Sequence, residues 1–312
     1  MFCATTGIVG GLVQYGFVLT FTSAFADFRG NLELTGLQEG LVATRQAKVR
    51  EALGRDLTVH DSFLTGSYRR RTLIAPMRDA DVDIMVVLDR TYRHCGPRAV
   101  LDLVKDTLGE TYPSSKISRN GQAVTITYSD FTVDVVPAFT PWWDTDSVEI
   151  CNSGDESWIR TNPRKHIEIS SKINQRTGGL LVPTVKMLKA WNRTAGRPLR
   201  SFHLEALAWK ILDPGSFLTM WWGPGVGLGS DPENISKFFT QAQNRLRRRL
   251  PDPARDAGDV GSYLTERARD DATSKLATAA SRCTRAGQLL AGGDEAGANA
   301  IYRKVFGDAF PR

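Results

Sequence analysis

Residues 64–90 read LTGSYRRRTLIAPMRDADVDIMVVLDR, and the fold turns on how this stretch is interpreted. Gly66 and Ser67 are followed by Arg69, Arg70 and Arg71, and then by Asp81 and Asp83, which alternate into the apolar run VDIMVVL. That run is short and rich in β-branched residues, which predicts a strand. Side chains two apart on a strand share a face, so Asp81 and Asp83 project together beside a core. A charge in that position is costly unless something pairs with it. The neighbouring sequence therefore has to supply a neutralising partner.

Working outward, AVTITYSDFTVDVVPAF predicts two strands joined by a Ser129–Asp130 turn, the second ending at Pro137. Asp134 lies inside the second, flanked by valines, and becomes a third acidic group able to join Asp81 and Asp83. Three carboxylates in a small volume repel one another unless a cation sits among them. Oxygen ligands of this kind suit Mg²⁺, which takes one or two carboxylates together with substrate phosphates. A pair of such ions activates a hydroxyl and stabilises the leaving oxygen of an in-line phosphoryl displacement. Gly66 permits close backbone approach to a phosphate, and Ser67 adds a hydroxyl and an amide. Taken singly, each feature has a plainer reading. A lone Asp-x-Asp caps a strand or faces solvent, Arg69 to Arg71 form a solvated edge, and Asp134 is a satisfied half-buried carboxylate. Their combination in this order points to phosphoryl transfer.

The flanks predict a two-lobed α+β protein. Residues 21–53 are helical in period, GPRAVLDLVKDTLGETY is an amphipathic helix, and after about Trp158 the texture becomes helical throughout. The segments PTVKMLKAWNRT, SFHLEALAWKIL, PENISKFFTQAQNRLRRRL and YLTERARDDATSKLATAASRCTRAGQLLAGGDEAGANAIYRKVFG carry that pattern. The expected organisation is an extension over residues 1–20, a catalytic core with its N-terminal helix over 21–157, and a helical lobe over 158–312.

The order of these motifs, with SWIRTNPRKH, LLVPTVKMLKAWNR and LRSFHLEALAWKIL, resembles the DNA polymerase β-like nucleotidyltransferases. Within that superfamily it resembles the bacterial cyclic-oligonucleotide synthases (CD-NTases), relatives of cyclic GMP-AMP synthase and oligoadenylate synthase. The likeness runs from about Phe21 to the C-terminus. It implies a polymerase β-like core with an oligoadenylate-synthase-like helical lobe, condensing NTPs into a cyclic di- or trinucleotide with release of pyrophosphate. The alternative within the superfamily is a linear oligonucleotide or a modified protein or small molecule. By the resemblance Gly66 and Ser67 hold the donor triphosphate, and Asp81, Asp83 and Asp134 are catalytic and bind two Mg²⁺ ions, with Mn²⁺ as an alternative. Lys189 and Ser201 match positions that contact donor phosphates, and Phe202 one that stacks on a base. Lys186, one turn before Lys189, is a further nucleotide-binding candidate; its plain reading is an exposed helix lysine. The family further implies antiphage (CBASS) signalling through a downstream effector that the product activates.

Bulk properties fit without deciding. With 312 residues, 41% of them hydrophobic, the chain has room for two moderate lobes, and its net charge of +6 suits a polyanionic ligand. Four dispersed cysteines and four histidines disfavour a structural zinc site and suit the cytoplasm. Residues 1–26 carry no basic n-region and their apolar run is interrupted, so neither a signal peptide nor a spanning helix is expected. Residues 1–17 are expected to be dispensable. Trp221 and Trp222 read as a loop anchored on the core. Arg245 to Arg249 read as a solvated helix end, and activation by nucleic acid is not expected.

Overall fold

Strand alternation organises the first lobe. In a computed structural model, which describes residues 24–215 and 228–311, the apolar run forms β2 (Asp81–Leu88) and the Asp134 segment forms β5 (Thr132–Phe139). Val82, Ile84, Val86 and Leu88 point into a core shared with α2 (Gly36–Gly54) and α4 (Pro97–Thr111). Asp81 and Asp83 lie on the opposite face, in line with Met85 and Val87. β2 and β5 run parallel, with Asp83 opposite Asp134 and Asp81 opposite Thr132. A slip of one residue would turn Asp134 into the apolar layer, so burial of Val133 and Val135 holds the register.

The sheet order is β1–β2–β5–β4–β3, with β1 (Val59–Leu64), β3 (Lys116–Asn120) and β4 (Ala123–Thr127). The second edge of β5 is shared. β4 pairs with residues 132–135, and β6 (Val148–Asn152) pairs with Ala138 and Phe139. Pro137 therefore does not end the strand as its sequence suggests. It falls between the two partners, where no ladder donor is required on that edge. The sheet also continues beyond the change of texture at 157/158, because β7 (Ser157–Thr161) pairs antiparallel with β6.

The helical lobe comprises α5 (Pro163–Arg176), α6 (Leu181–Thr194), α7 (Ser201–Leu212), α8 (Asp231–Leu246), α9 (Glu266–Ala291) and α10 (Glu295–Phe306). The long C-terminal helical pattern divides at Gly292–Gly293, where Gly293 has φ +83°. The pattern over residues 21–53 also divides. A first helix, α1, covers residues 24–31, and Thr35 starts α2 with a capping box to Gln38. α1 packs in the core of the helical lobe, not on the sheet. Its Phe28 ring lies 4.8 Å from that of Phe306 and 5.2 Å from that of Phe310, while Arg29 is paired with Asp231. Among the described residues the chain thus runs first through the second lobe and then builds the first.

Residues 1–23 and Trp221–Trp222 lie outside the described residues. Among those described, no helix is long and apolar enough to cross a membrane, and Cys95, Cys151 and Cys283 are free. Arg247 is paired with Asp270, whereas Arg248 and Arg249 are exposed.

Phe28 has no exposed surface, so Phe28→Ala is expected to cost about 3–5 kcal/mol. Urea unfolding followed by circular dichroism checks this through the transition midpoint.

Candidate active site

The three aspartates open onto a cleft of about 670 Å³ between the sheet and the helical lobe. Asp83 lies deepest. Gly66 starts the short helix α3 (Gly66–Arg69) with φ +60°, and a Cβ built on it would meet Asp83 Oδ2 at 1.7 Å. Only glycine satisfies both the positive φ and this contact. The Thr65 amide donates to the Asp83 carbonyl at 2.9 Å, which ties the Gly-Ser turn to the strand carrying the aspartates. Ser67 follows on the cleft side, and its carbonyl accepts from the Thr72 amide at 2.8 Å.

Two threonines steady the outer carboxylates. The Thr125 hydroxyl donates to Asp134 Oδ1 at 2.5 Å, and Thr132 donates to Asp81. Burial among protein atoms pushes the Asp83 carboxyl up to about 7, reinforced by Asp134 and Asp81 and opposed by Arg70 and Lys189. Burial also raises Asp134, against the Thr125 hydrogen bond. Among the described residues no three such side chains already form a metal cage. Mg²⁺ does not demand one, because it retains waters and completes its shell with substrate phosphates. Hard oxygen donors that resist ionisation without a neighbouring cation fit such an ion.

Across the cleft stand residues of the second lobe. Lys189 on α6 and Ser201 and Phe202 at the start of α7 line the same cavity. Lys189 is nearly buried, 2.7 Å from Glu205 Oε1 and 3.2 Å from the Thr72 hydroxyl. Phe202 packs against His166, with ring centroids 4.7 Å apart, and the Arg70 guanidinium lies 5.4 Å from its ring centre. Lys186 is placed elsewhere. It is buried, bonds Glu33 Oε2 at 2.6 Å, and lines a separate cavity behind α3 with Arg69 and Arg71.

The arginine triplet is not a uniform solvated edge. Arg70 turns inward and gives Glu205 two hydrogen bonds, at 2.8 and 3.2 Å. Sequence reasoning missed this pair because the residues are 135 positions apart. It also missed Tyr263, which lines the cleft beneath the Arg200 guanidinium, 4.3 Å from its ring centre. Nothing in the local pattern distinguishes Tyr263 from a core tyrosine.

Because the folded chain raises the Asp83 pKa, its contribution favours the native state at low pH and is lost as pH rises from about 4 to about 7. Asp83→Asn is therefore expected to raise the melting temperature of metal-free protein at pH 8, by about 2–4 °C for each kcal/mol relieved. At pH 4 the variant and the wild type should converge. Thermal unfolding in EDTA across pH 4–8 checks this, and a large fall at pH 8 would mark Asp83 as a structural residue.

Comparison with known proteins fits this geometry. Residues 19–174 match the family model for the Second Messenger Oligonucleotide or Dinucleotide Synthetase domain. The cyclic AMP-AMP-AMP synthase of Acinetobacter sp. (strain ATCC 27244 / 9458) is 24% identical over 321 residues, covering 95% of this chain and 87% of that protein. Among solved structures, CdnC of E. coli MS115-1 with ATP superposes with a TM-score of 0.67 at 18% identity, covering 94% of this chain and 98% of that one. The Bradyrhizobium diazoefficiens CD-NTase CdnG in complex with GTP gives 0.70 at 17% identity, covering 93% and 96%. With a family model matched over half its length and a polymerase β-like fold around three cleft aspartates, the chain belongs to the Second Messenger Oligonucleotide or Dinucleotide Synthetase family and is a CD-NTase, an enzyme of the nucleotidyltransferase class.

Proposed function

We infer that this enzyme condenses nucleoside triphosphates, ATP among them, into a cyclic di- or trinucleotide with release of pyrophosphate. The observation that carries the reading is the in-register Asp83–Asp134 pair, with Gly66 pressed against Asp83, facing Lys189 and Ser201 across one cleft. The named product of the Acinetobacter relative and the ATP and GTP complexes of the neighbouring structures support it.

Gly66 admits a phosphate to the backbone at a place where any side chain would strike Asp83. Ser67 offers the hydroxyl and first-turn amide of α3, which have no carbonyl partner within a helix that begins there. Lys189 and Ser201 approach the donor phosphates from the second lobe, and Phe202 offers a ring face for a base. Lys186, held by Glu33 outside the cleft, acts on nucleotide only indirectly. Asp81, Asp83 and Asp134 would hold two Mg²⁺ or Mn²⁺ ions, which when bound activate the acceptor hydroxyl and neutralise the leaving pyrophosphate. The Thr125 and Thr132 hydroxyls fix the rotamers of Asp134 and Asp81. A cytoplasmic enzyme of this kind would act in antiphage (CBASS) signalling by activating an effector through its product, without a nucleic-acid activator.

Incubation with the four NTPs and Mg²⁺ or Mn²⁺, followed by mass spectrometry, is expected to yield a phosphatase-resistant product with no terminal phosphate. A product that phosphatase shortens would instead identify a linear oligonucleotide. Asp81→Asn with Asp83→Asn is expected to abolish synthesis while leaving the far-UV circular dichroism unchanged; synthesis surviving in that variant would remove the assigned site.

A further inference from the structure

Glu205 is wholly buried on α7, between Leu204 and Ala206 and within a helix face that is otherwise core. A carboxylate in that position loses its hydration, at a cost of several kcal/mol, and an apolar residue of similar volume is often as stable or more so. The charge therefore calls for a reason beyond packing. Burial by itself would raise the Glu205 pKa, yet Arg70 and Lys189 hold it at about 2. One carboxylate thus pairs with two cations, at 2.7, 2.8 and 3.2 Å, and Lys189 also donates to the Thr72 hydroxyl.

Those cations have an obvious alternative. Both line the cleft with Asp83 and both act on it electrostatically. Arg70 closes the same short turn whose first residue touches the Asp83 carboxylate. Yet neither forms an ion pair with Asp81, Asp83 or Asp134 among the described residues. An arginine or lysine seated on Asp83 would occupy the oxygens a divalent cation needs.

We propose that Glu205 is a positioning residue that holds Arg70 and Lys189 off the cleft aspartates, keeping their oxygens open to divalent cations. The proposal rests on reading the site as metal-dependent. It also gives the cluster of Arg70, Lys189 and Glu205 a net positive charge, suited to the triphosphate side of the cleft.

The test is direct Mn²⁺ binding to the full-length protein without nucleotide, followed by the paramagnetic resonance of free Mn²⁺. Glu205→Gln keeps the side-chain size and removes the charge. A cation released to within a few Å of a carboxylate competes strongly, so Mn²⁺ affinity is expected to fall on the order of tenfold, with circular dichroism retained. Adding Lys189→Met removes one released cation and should recover most of that loss, a rescue that a purely structural role for Glu205 would not give. If Glu205→Gln does not fold, Glu205→Asp takes its place. That variant keeps the charge but is too short to reach both cations, and the fall should have the same direction and be smaller. Unchanged Mn²⁺ affinity in a folded Glu205 variant, or a double variant weaker than the single one, overturns the proposal while leaving the metal site intact. Wild-type protein that binds no Mn²⁺, or binds it equally well with Asp83→Asn, overturns the metal site and this proposal with it.

Discussion

Parallel pairing of β2 with β5 places Asp83 and Asp134 side by side on the one face of the sheet not covered by α2 and α4. Two carboxylates held that way repel each other, and burial makes the repulsion costlier. Much of the architecture accommodates that constraint. The valines and isoleucines on the opposite face fix the register, the glycine turn closes over Asp83, and threonines donate to the outer two aspartates. The second lobe then brings positive charge to the far wall of the cleft. Each element is ordinary by itself, and together they gather carboxylates and cations around one cleft.

The aspartate side of this arrangement was legible because it is written in local periodicities. Asp81 and Asp83 are two apart on a strand, Asp134 is flanked by valines, and glycine precedes serine at a turn; each carries its geometry in its spacing. α4, α6 and α7 were equally readable from their apolar stripes. β1, β3, β6 and β7 carry no such signal. Their sequences are short and mixed, as in Lys116–Asn120, and they become strands by pairing with neighbours already in place. Pro137 misled because its compatibility with a strand depends on where the partners lie, which one segment does not reveal.

The lysines illustrate the same limit. Lys186 and Lys189 stand three apart on one helix and share a face in projection, yet the first meets Glu33 behind α3 and the second meets Glu205 beside the cleft. A side chain of that length follows whichever carboxylate the fold supplies, and both carboxylates come from distant parts of the chain. Arg70 is the stronger case. Between two exposed-looking arginines it is buried by a residue on a different lobe, so the Gly-Ser turn and α7 are joined by charge and not by apolar contact alone.

The packing of α1 in the helical lobe has a consequence for biogenesis. Phe25 and Phe28 of α1 find their aromatic neighbours in Tyr302, Phe306 and Phe310, almost the whole length of the chain away. On the ribosome these rings emerge long before Tyr302, Phe306 and Phe310 are made. The sheet lobe, whose strands are drawn from one continuous central segment, is complete well before then. During synthesis all seven strands are thus available while Phe25 and Phe28 still lack Tyr302, Phe306 and Phe310, and an apolar face awaiting distant partners is the kind of surface that chaperones shield.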